Sequence, residues 1–129
     1  MITRRASCSC GQLALTCTGE PQTVGVCHCR RCQLRSGGPY GAAAFFPEDA
    51  VEIEGGAAVW ERRGDSGGRV AFRFCTTCGS TVWWTRSLRP GVIAVAVGAF
   101  ADPDFPAPVV EVHTDTALPW ARLASPPAG

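Results

Sequence analysis

With 129 residues, 46% of them hydrophobic and 18% charged, the chain has the length and apolar content of a single packed domain spanning residues 1–129. Twelve basic residues, all arginine, stand against eleven acids for a net charge of +1, so there is no broad basic footprint for nucleic acid or an anionic membrane. The lack of lysine excludes Schiff-base chemistry and a phosphate-loop lysine, and the lack of asparagine excludes an N-glycosylation site.

Met1 to Ser7 carries no apolar segment of the signal-peptide kind and runs directly into Cys8. Leu13, Leu15 and Cys17 then alternate with Ala14, Thr16 and Thr18, which predicts a half-buried strand with Cys17 in the core. Gly19-Glu20-Pro21 ends that run. A short helical turn is expected over Arg30 to Arg35, closed by Ser36-Gly37-Gly38-Pro39. Val51 and Ile53 alternate with Glu52 and Glu54, and Val70, Phe72 and Phe74 alternate with Arg69, Ala71 and Arg73, giving two more half-buried strands. Turns are expected at Gly55-Gly56, Asp65 to Gly68 and Arg89-Pro90-Gly91.

Val92 to Val97 is apolar on both faces and reads as a central strand. The apolar stretch continues only to Ala101, too short to cross a bilayer. In a later strand Val110 and Val112 face one way, so Val109, Glu111 and His113 face the other; a Glu111–His113 pair on the surface is expected. Trp60, Trp83, Trp84 and Trp120 are expected to pack in the core, and residues 125–129 to fray. The period of two dominates, and the fold class is mainly β, with eight or more short strands.

Seven of the eight cysteines fall in three clusters: Cys8/Cys10, Cys27/Cys29/Cys32 and Cys75/Cys78. Residues two or three positions apart make poor structural disulfides but good partners on one metal, which points to thiolates in a reducing, cytoplasmic compartment. Cys75-Thr76-Thr77-Cys78-Gly79 has the form of a zinc knuckle, in which Gly79 takes the positive φ that closes the turn. Cys8-Ser9-Cys10-Gly11 has the same punctuation. A closed zinc site takes four ligands, so these two pairs complete one another. Cys27, Cys29 and Cys32 then form a three-thiolate site with an open fourth position, as catalytic zinc has. Two alternatives stand beside this: a second closed site using His28, His113 or Cys17, and a pairing of Cys27/Cys29 with Cys75/Cys78.

The ordered motifs Cys8-x-Cys10-Gly11, Cys27-His28-Cys29-x-x-Cys32 and Arg73-Phe74-Cys75-x-x-Cys78-Gly79 resemble the glutathione-dependent formaldehyde-activating enzyme family, also called the CENP-V/GFA family. Asp102-Pro103, Pro106, Pro108 and Pro119-Trp120 extend the resemblance over about residues 7 to 122. It implies a zinc-bound β-tent fold of short antiparallel strands. It implies two zinc ions, a structural one on Cys8, Cys10, Cys75 and Cys78 and a catalytic one on Cys27, Cys29 and Cys32. The activity implied is that of a carbon–sulfur lyase that reversibly joins glutathione to formaldehyde.

Charge points the same way. Three thiolates on one Zn²⁺ leave a net negative site, a weak Lewis acid for water but a good home for a soft thiol. A free thiol has a pKa of about 8.5, so coordination turns a minor thiolate population into the major one. Arg30, Arg31 and Arg35, beside the cluster, are candidates to hold the carboxylates of glutathione by bidentate contacts. Tyr40, after Gly37-Gly38-Pro39, is a candidate substrate contact. His28, between two ligands, is expected to point away from the metal. The competing functions are a non-catalytic zinc module for protein or nucleic acid, and a thiol redox sensor. Dispersal of the arginines as Arg4-Arg5, Arg30-Arg31 and Arg62-Arg63 argues against nucleic acid.

Overall fold

The computed structural model describes residues 1–124; the predicted frayed tail, residues 125–129, lies outside them. Ten strands and one short helix follow in order: β1 Thr3–Ser7, β2 Ala14–Thr18, β3 Thr23–Cys27, α1 Arg30–Ser36, β4 Gly41–Pro47, β5 Val51–Glu54, β6 Ala58–Arg63, β7 Arg69–Phe74, β8 Thr81–Arg86, β9 Val92–Ala96 and β10 Val110–Val112. They build a three-stranded sheet in the order β1-β2-β5 and a seven-stranded sheet in the order β10-β3-β4-β9-β8-β7-β6. All pairings are antiparallel except β10 with β3. The mainly β class and the predicted strands are borne out. Among the described residues no helix is long and apolar enough to cross a membrane.

The two sheets bury their facing sides against each other. Ala6, Leu15 and Cys17 from the small sheet meet Val24, Ala44, Phe46, Val82, Ile93 and Val95 from the large one, with Phe100 beside them. Strand alternation turns the next residues outward on the far side of the large sheet. There Cys27 pairs with Gly41, Gly25 with Ala43, and Ala43 with Ala96; Trp84 joins Ala94 to Phe72. β9 lies at the centre of the large sheet and is apolar on both faces for that reason: Ile93 and Val95 enter the core, while Ala94 and Ala96 floor the far side.

Two expectations are corrected. Ile53 is exposed rather than half-buried: it lies opposite buried Leu15, but on β5, the edge strand of the small sheet. Of the tryptophans, Trp83 packs in the core and Trp84 in the small cluster on the far face, whereas Trp120 is exposed and Trp60 lies half open over Phe72.

Candidate metal centres and the adjoining cavity

The turn after β1 and the turn after β7 meet edge to edge. Sγ atoms of Cys8, Cys10, Cys75 and Cys78 all lie within 4.8 Å of one another. Cys10 Sγ stands 3.7 Å from Cys8 Sγ and 3.6 Å from Cys75 Sγ. A tetrahedron of sulfurs about 2.3 Å from zinc has edges of about 3.8 Å, so the four fit a metal of that size. Gly11 and Gly79 adopt the predicted positive φ, +86° and +81°. Cys8 and Cys75 are buried, and Cys10 and Cys78 are exposed.

N–H groups turn inward on these sulfurs. Leu13 N–H donates to Cys8 Sγ at 3.2 Å, and Thr77 N–H and Gln12 Nε2–H donate to Cys75 Sγ at 3.4 and 3.3 Å. Gln12 is fixed by a reciprocal pair of bonds with Gly56, a support that no sequence spacing announced. Hydrogen bonding with Ser80 holds the Cys78 thiol down to about 5, and bonds from the Cys78 backbone and Gln12 hold Cys75 at about 7. Cys75 and Cys78 are thus biased toward thiolate, whereas Cys10, beside the Cys75 and Cys8 thiols, is pushed up to about 11. The alternative pairing of Cys27/Cys29 with Cys75/Cys78 does not occur.

Cys27 ends β3, Cys29 caps α1 and Cys32 sits in its first turn, so a single reversal of chain gathers their three sulfurs within 4.8 Å. Cys29 Sγ takes the N-cap role, accepting the Cys32 N–H at 3.4 Å. The Cys32 thiol donates to Cys27 and holds it down to about 5 against the opposing effect of burial; the same bond and burial push Cys32 up. Three sulfurs at this spacing suit a soft divalent metal. Among the described residues no further His, Cys, Asp or Glu joins this group.

His28 and Cys17, weighed as fourth ligands, are elsewhere. Cys17 is fully buried in the core, as predicted. His28 points away from the three sulfurs, also as predicted, but its partner is Glu111: the fully buried imidazole bonds a Glu111 oxygen through Nε2 at 2.8 Å. The expected Glu111–His113 pair therefore does not form. β10 ends at Val112, and His113 turns into the left-handed region at φ 55°, which breaks the strand alternation and brings it beside Cys27. Main-chain and side-chain bonds pin the His28 peptide as well: its N–H donates to Val112 O, and its carbonyl accepts from Gln33 Nε2 and Thr116 Oγ1. Tyr40 packs its ring edge-on to His28 at 5.4 Å and does not line the cavity.

Beside Cys27 and Cys32 lies a cavity of about 510 Å³ on the far face of the large sheet. Its floor is small residues, Gly25, Gly41 and Ala43; its walls include Phe45, Phe72 and Trp84. Four arginines line it, Arg35, Arg62, Arg86 and Arg89, and among the described residues no carboxylate does. Three of them lie over aromatic rings: Arg35 over Trp84 at 4.3 Å, Arg86 over Phe45 at 4.6 Å and Arg62 over Phe72 at 5.5 Å. Burial lowers the pKa of Arg35 and Arg86 from the usual range, yet both stay cationic.

Of the three arginines singled out by position, only Arg35 reaches this cavity. Arg30 bonds Gln33 and Thr116 O, and Arg31 pairs with Asp65 at 3.5 Å and bonds Arg63 O. Arg62, Arg86 and Arg89 escaped the sequence. The signal for Arg86 was its two-residue spacing from Trp84, but which face of β8 mattered depends on register with β7 and β9.

Residues 3–116 match the family model described as glutathione-dependent formaldehyde-activating enzyme. The chain also resembles a Rhodobacter sphaeroides protein of known crystal structure, with a TM-score of 0.59 and 19% identity over 83% of this chain and 98% of the other. At that identity the likeness concerns the fold alone. No curated protein matches the sequence. A family match over most of the chain, together with two thiol clusters assembled from the three motifs, places this protein in the glutathione-dependent formaldehyde-activating enzyme family.

Proposed function

We propose that this protein is a carbon–sulfur lyase that reversibly joins a thiol of the glutathione type to formaldehyde, as one domain with two zinc ions. Cys8, Cys10, Cys75 and Cys78 hold the structural ion; Cys27, Cys29 and Cys32 hold the catalytic one. The observation that carries this reading is a three-thiol cluster facing a cavity walled by arginine, with no fourth donor and no carboxylate lining it among the described residues. A zinc on those three thiolates supplies a soft open position at which a substrate thiol loses its proton near neutral pH.

The chain's own residues bind and orient. Arg86 and Arg89 lie across the sheet from Cys27 and offer charged donors for the carboxylates of a tripeptide thiol. The small floor residues leave room for its backbone, and Phe45, Phe72 and Trp84 exclude water from one side. In the forward direction the thiol sulfur bonds the aldehyde carbon, the carbonyl π pair moves to oxygen, and a proton returns to that oxygen. The reducing cytoplasm suits a chain whose eight cysteines are all unpaired. Exchange spectroscopy on glutathione, formaldehyde and their hemithioacetal tests the proposal. Zinc-loaded wild type is expected to speed exchange in both directions, and Cys29→Ser to return it to the uncatalysed rate. Equal exchange in wild type and variant overturns it.

A further inference from the structure

We infer that Arg35 is a catalytic residue whose guanidinium holds the aldehyde oxygen as the carbon–sulfur bond forms beside Cys32. The inference rests on the reaction proposed above and assigns Arg35 to the reacting oxygen rather than to a substrate carboxylate.

Arg35 follows Cys32 by three residues on α1, so the two side chains leave the same side of the helix. Across from them, β4 begins with Gly41, opposite Cys27 in the strand register. A methyl group on Gly41 would lie 2.5 Å from Arg35 Nη2, 3.3 Å from Cys32 Cβ and 3.6 Å from Cys32 Sγ. The guanidinium and the sulfur therefore share one small space, and that space exists because residue 41 has no side chain. Gly41 has an ordinary extended backbone, so conformational freedom does not explain the glycine. Close approach of Arg35 and Cys32 does.

The guanidinium is held ready. It lies over Trp84 at 4.3 Å and Phe72 at 5.7 Å, and among the described residues no carboxylate pairs with it. A cation fixed by packing and left with unused donors stabilises charge that develops later, with little reorganisation. In the step proposed, the thiolate electron pair forms the carbon–sulfur bond and the carbonyl π pair moves to oxygen. Arg35 N–H groups donate to that oxygen and keep their protons. The proton lost by the thiol returns to the oxygen from solvent, and nothing is oxidised or reduced. In the reverse direction the same donors hold the oxygen until the carbon–sulfur bond breaks.

The test uses zinc-loaded protein with glutathione and with 2-mercaptoethanol, which has no carboxylate. Arg35→Met is expected to lower kcat about 10- to 100-fold with both thiols, the scale of one lost charged hydrogen bond in the transition state. A loss confined to KM for glutathione would show a carboxylate clamp and overturn the inference. Gly41→Ala keeps the guanidinium but crowds it, so it should also lower kcat with zinc content and near-ultraviolet circular dichroism unchanged. A Gly41→Ala protein with full kcat counts against the inference. A binding readout does not depend on turnover. Thioacetate carries sulfur and oxygen on one carbon, as the adduct does; ethanethiol carries sulfur alone. By calorimetry Arg35→Met should lose more affinity for thioacetate than for ethanethiol. Equal losses overturn the assignment. If wild type shows no exchange, the proposed reaction fails, and the thioacetate comparison still decides what Arg35 holds.

Discussion

The two cysteine clusters gather the same kind of atom in opposite ways. The four-thiol cluster ties the turn of one sheet to the turn of the other, and two of its cysteines are buried. Its ligands come from chain segments some 65 residues apart, as the 65-residue separation of Cys10 and Cys75 shows. Closing such a loop without a metal costs conformational entropy that short turns cannot offset. The three-thiol cluster is local. Cys27, Cys29 and Cys32 come from one chain reversal, and all three remain partly accessible. Its scaffold has supports of its own: β3 is paired on both sides, Cys29 caps a helix, and His28 is buried against Glu111. On the proposed reading, distance in sequence separates a site that makes the fold from one that the fold makes.

The largest expected effect breaks that comparison directly. Cys75→Ser or Cys78→Ser should abolish cooperative thermal unfolding near the wild-type temperature, since structural zinc in small zinc peptides contributes on the order of 10 kcal/mol of apparent binding energy. Cys29→Ser should keep a wild-type circular dichroism spectrum and one zinc. A reversed outcome, with Cys29→Ser unfolded and Cys78→Ser native, exchanges the two roles.

Metal removal gives a graded version of the same contrast. Elemental analysis of protein purified without chelator should find two zinc ions per chain. A mild chelator should take the ion of the three-thiol cluster first, with loss of exchange activity and retention of secondary structure. The second ion should leave only as the protein unfolds, because its cluster has four protein ligands and N–H donors on the buried sulfurs. Simultaneous release of both ions with unfolding would show that the clusters are not energetically distinct.

How far the sequence reached follows the same division. The four-thiol cluster was legible because Gly11 and Gly79 mark the turns that bring each pair together, and zinc's preference for four ligands joins the pairs. β9 was legible as a central strand from its two apolar faces. The cavity was not, because it is a property of strand order. Phe72, Trp84 and Ala94 come together only through the register of β7, β8 and β9, and no local period announces it. His113 misled for a related reason: strand alternation was carried one residue past the end of β10, where the backbone turns left-handed. Of the arginines near Cys32 in sequence, Arg35 shares its side of α1, because on a helix the third neighbour faces the same way and the adjacent residue does not.

The arginines sharpen the comparison on the open side. Arg86→Met removes a cation that lies over Phe45 and has no carboxylate partner among the described residues. The KM for glutathione should rise about three- to tenfold, a charged hydrogen bond discounted for partial exposure, while the KM for 2-mercaptoethanol stays within about twofold. Steady-state kinetics with the two thiols decides it. An equal change for both would place Arg86 in the packing of the wall rather than in contact with the substrate.

The smallest effect belongs to the cysteine that joins neither cluster. Cys17 is fully buried between the sheets, and burial raises its thiol from 9.0 to about 11. Its neighbours are apolar core side chains, so the charged form gains nothing to replace water. The sign of the linkage follows. Between pH 9 and about 11 the unfolded chain loses this proton while the folded chain keeps it, so the folded state binds more protons there. Stability is unaffected below that window and falls as pH rises through it. Cys17→Ala should unfold at lower urea at pH 7 because it leaves a small cavity, on the order of 1 kcal/mol. The gap between wild type and variant should then close and reverse between pH 9 and 11, because wild type alone holds a buried ionising thiol and a two-unit shift is worth about 2–3 kcal/mol, more than the cavity. Urea midpoints at several pH values measure it. A constant gap would mean that the folded thiol titrates like the unfolded one, so that burial between the sheets does not raise it.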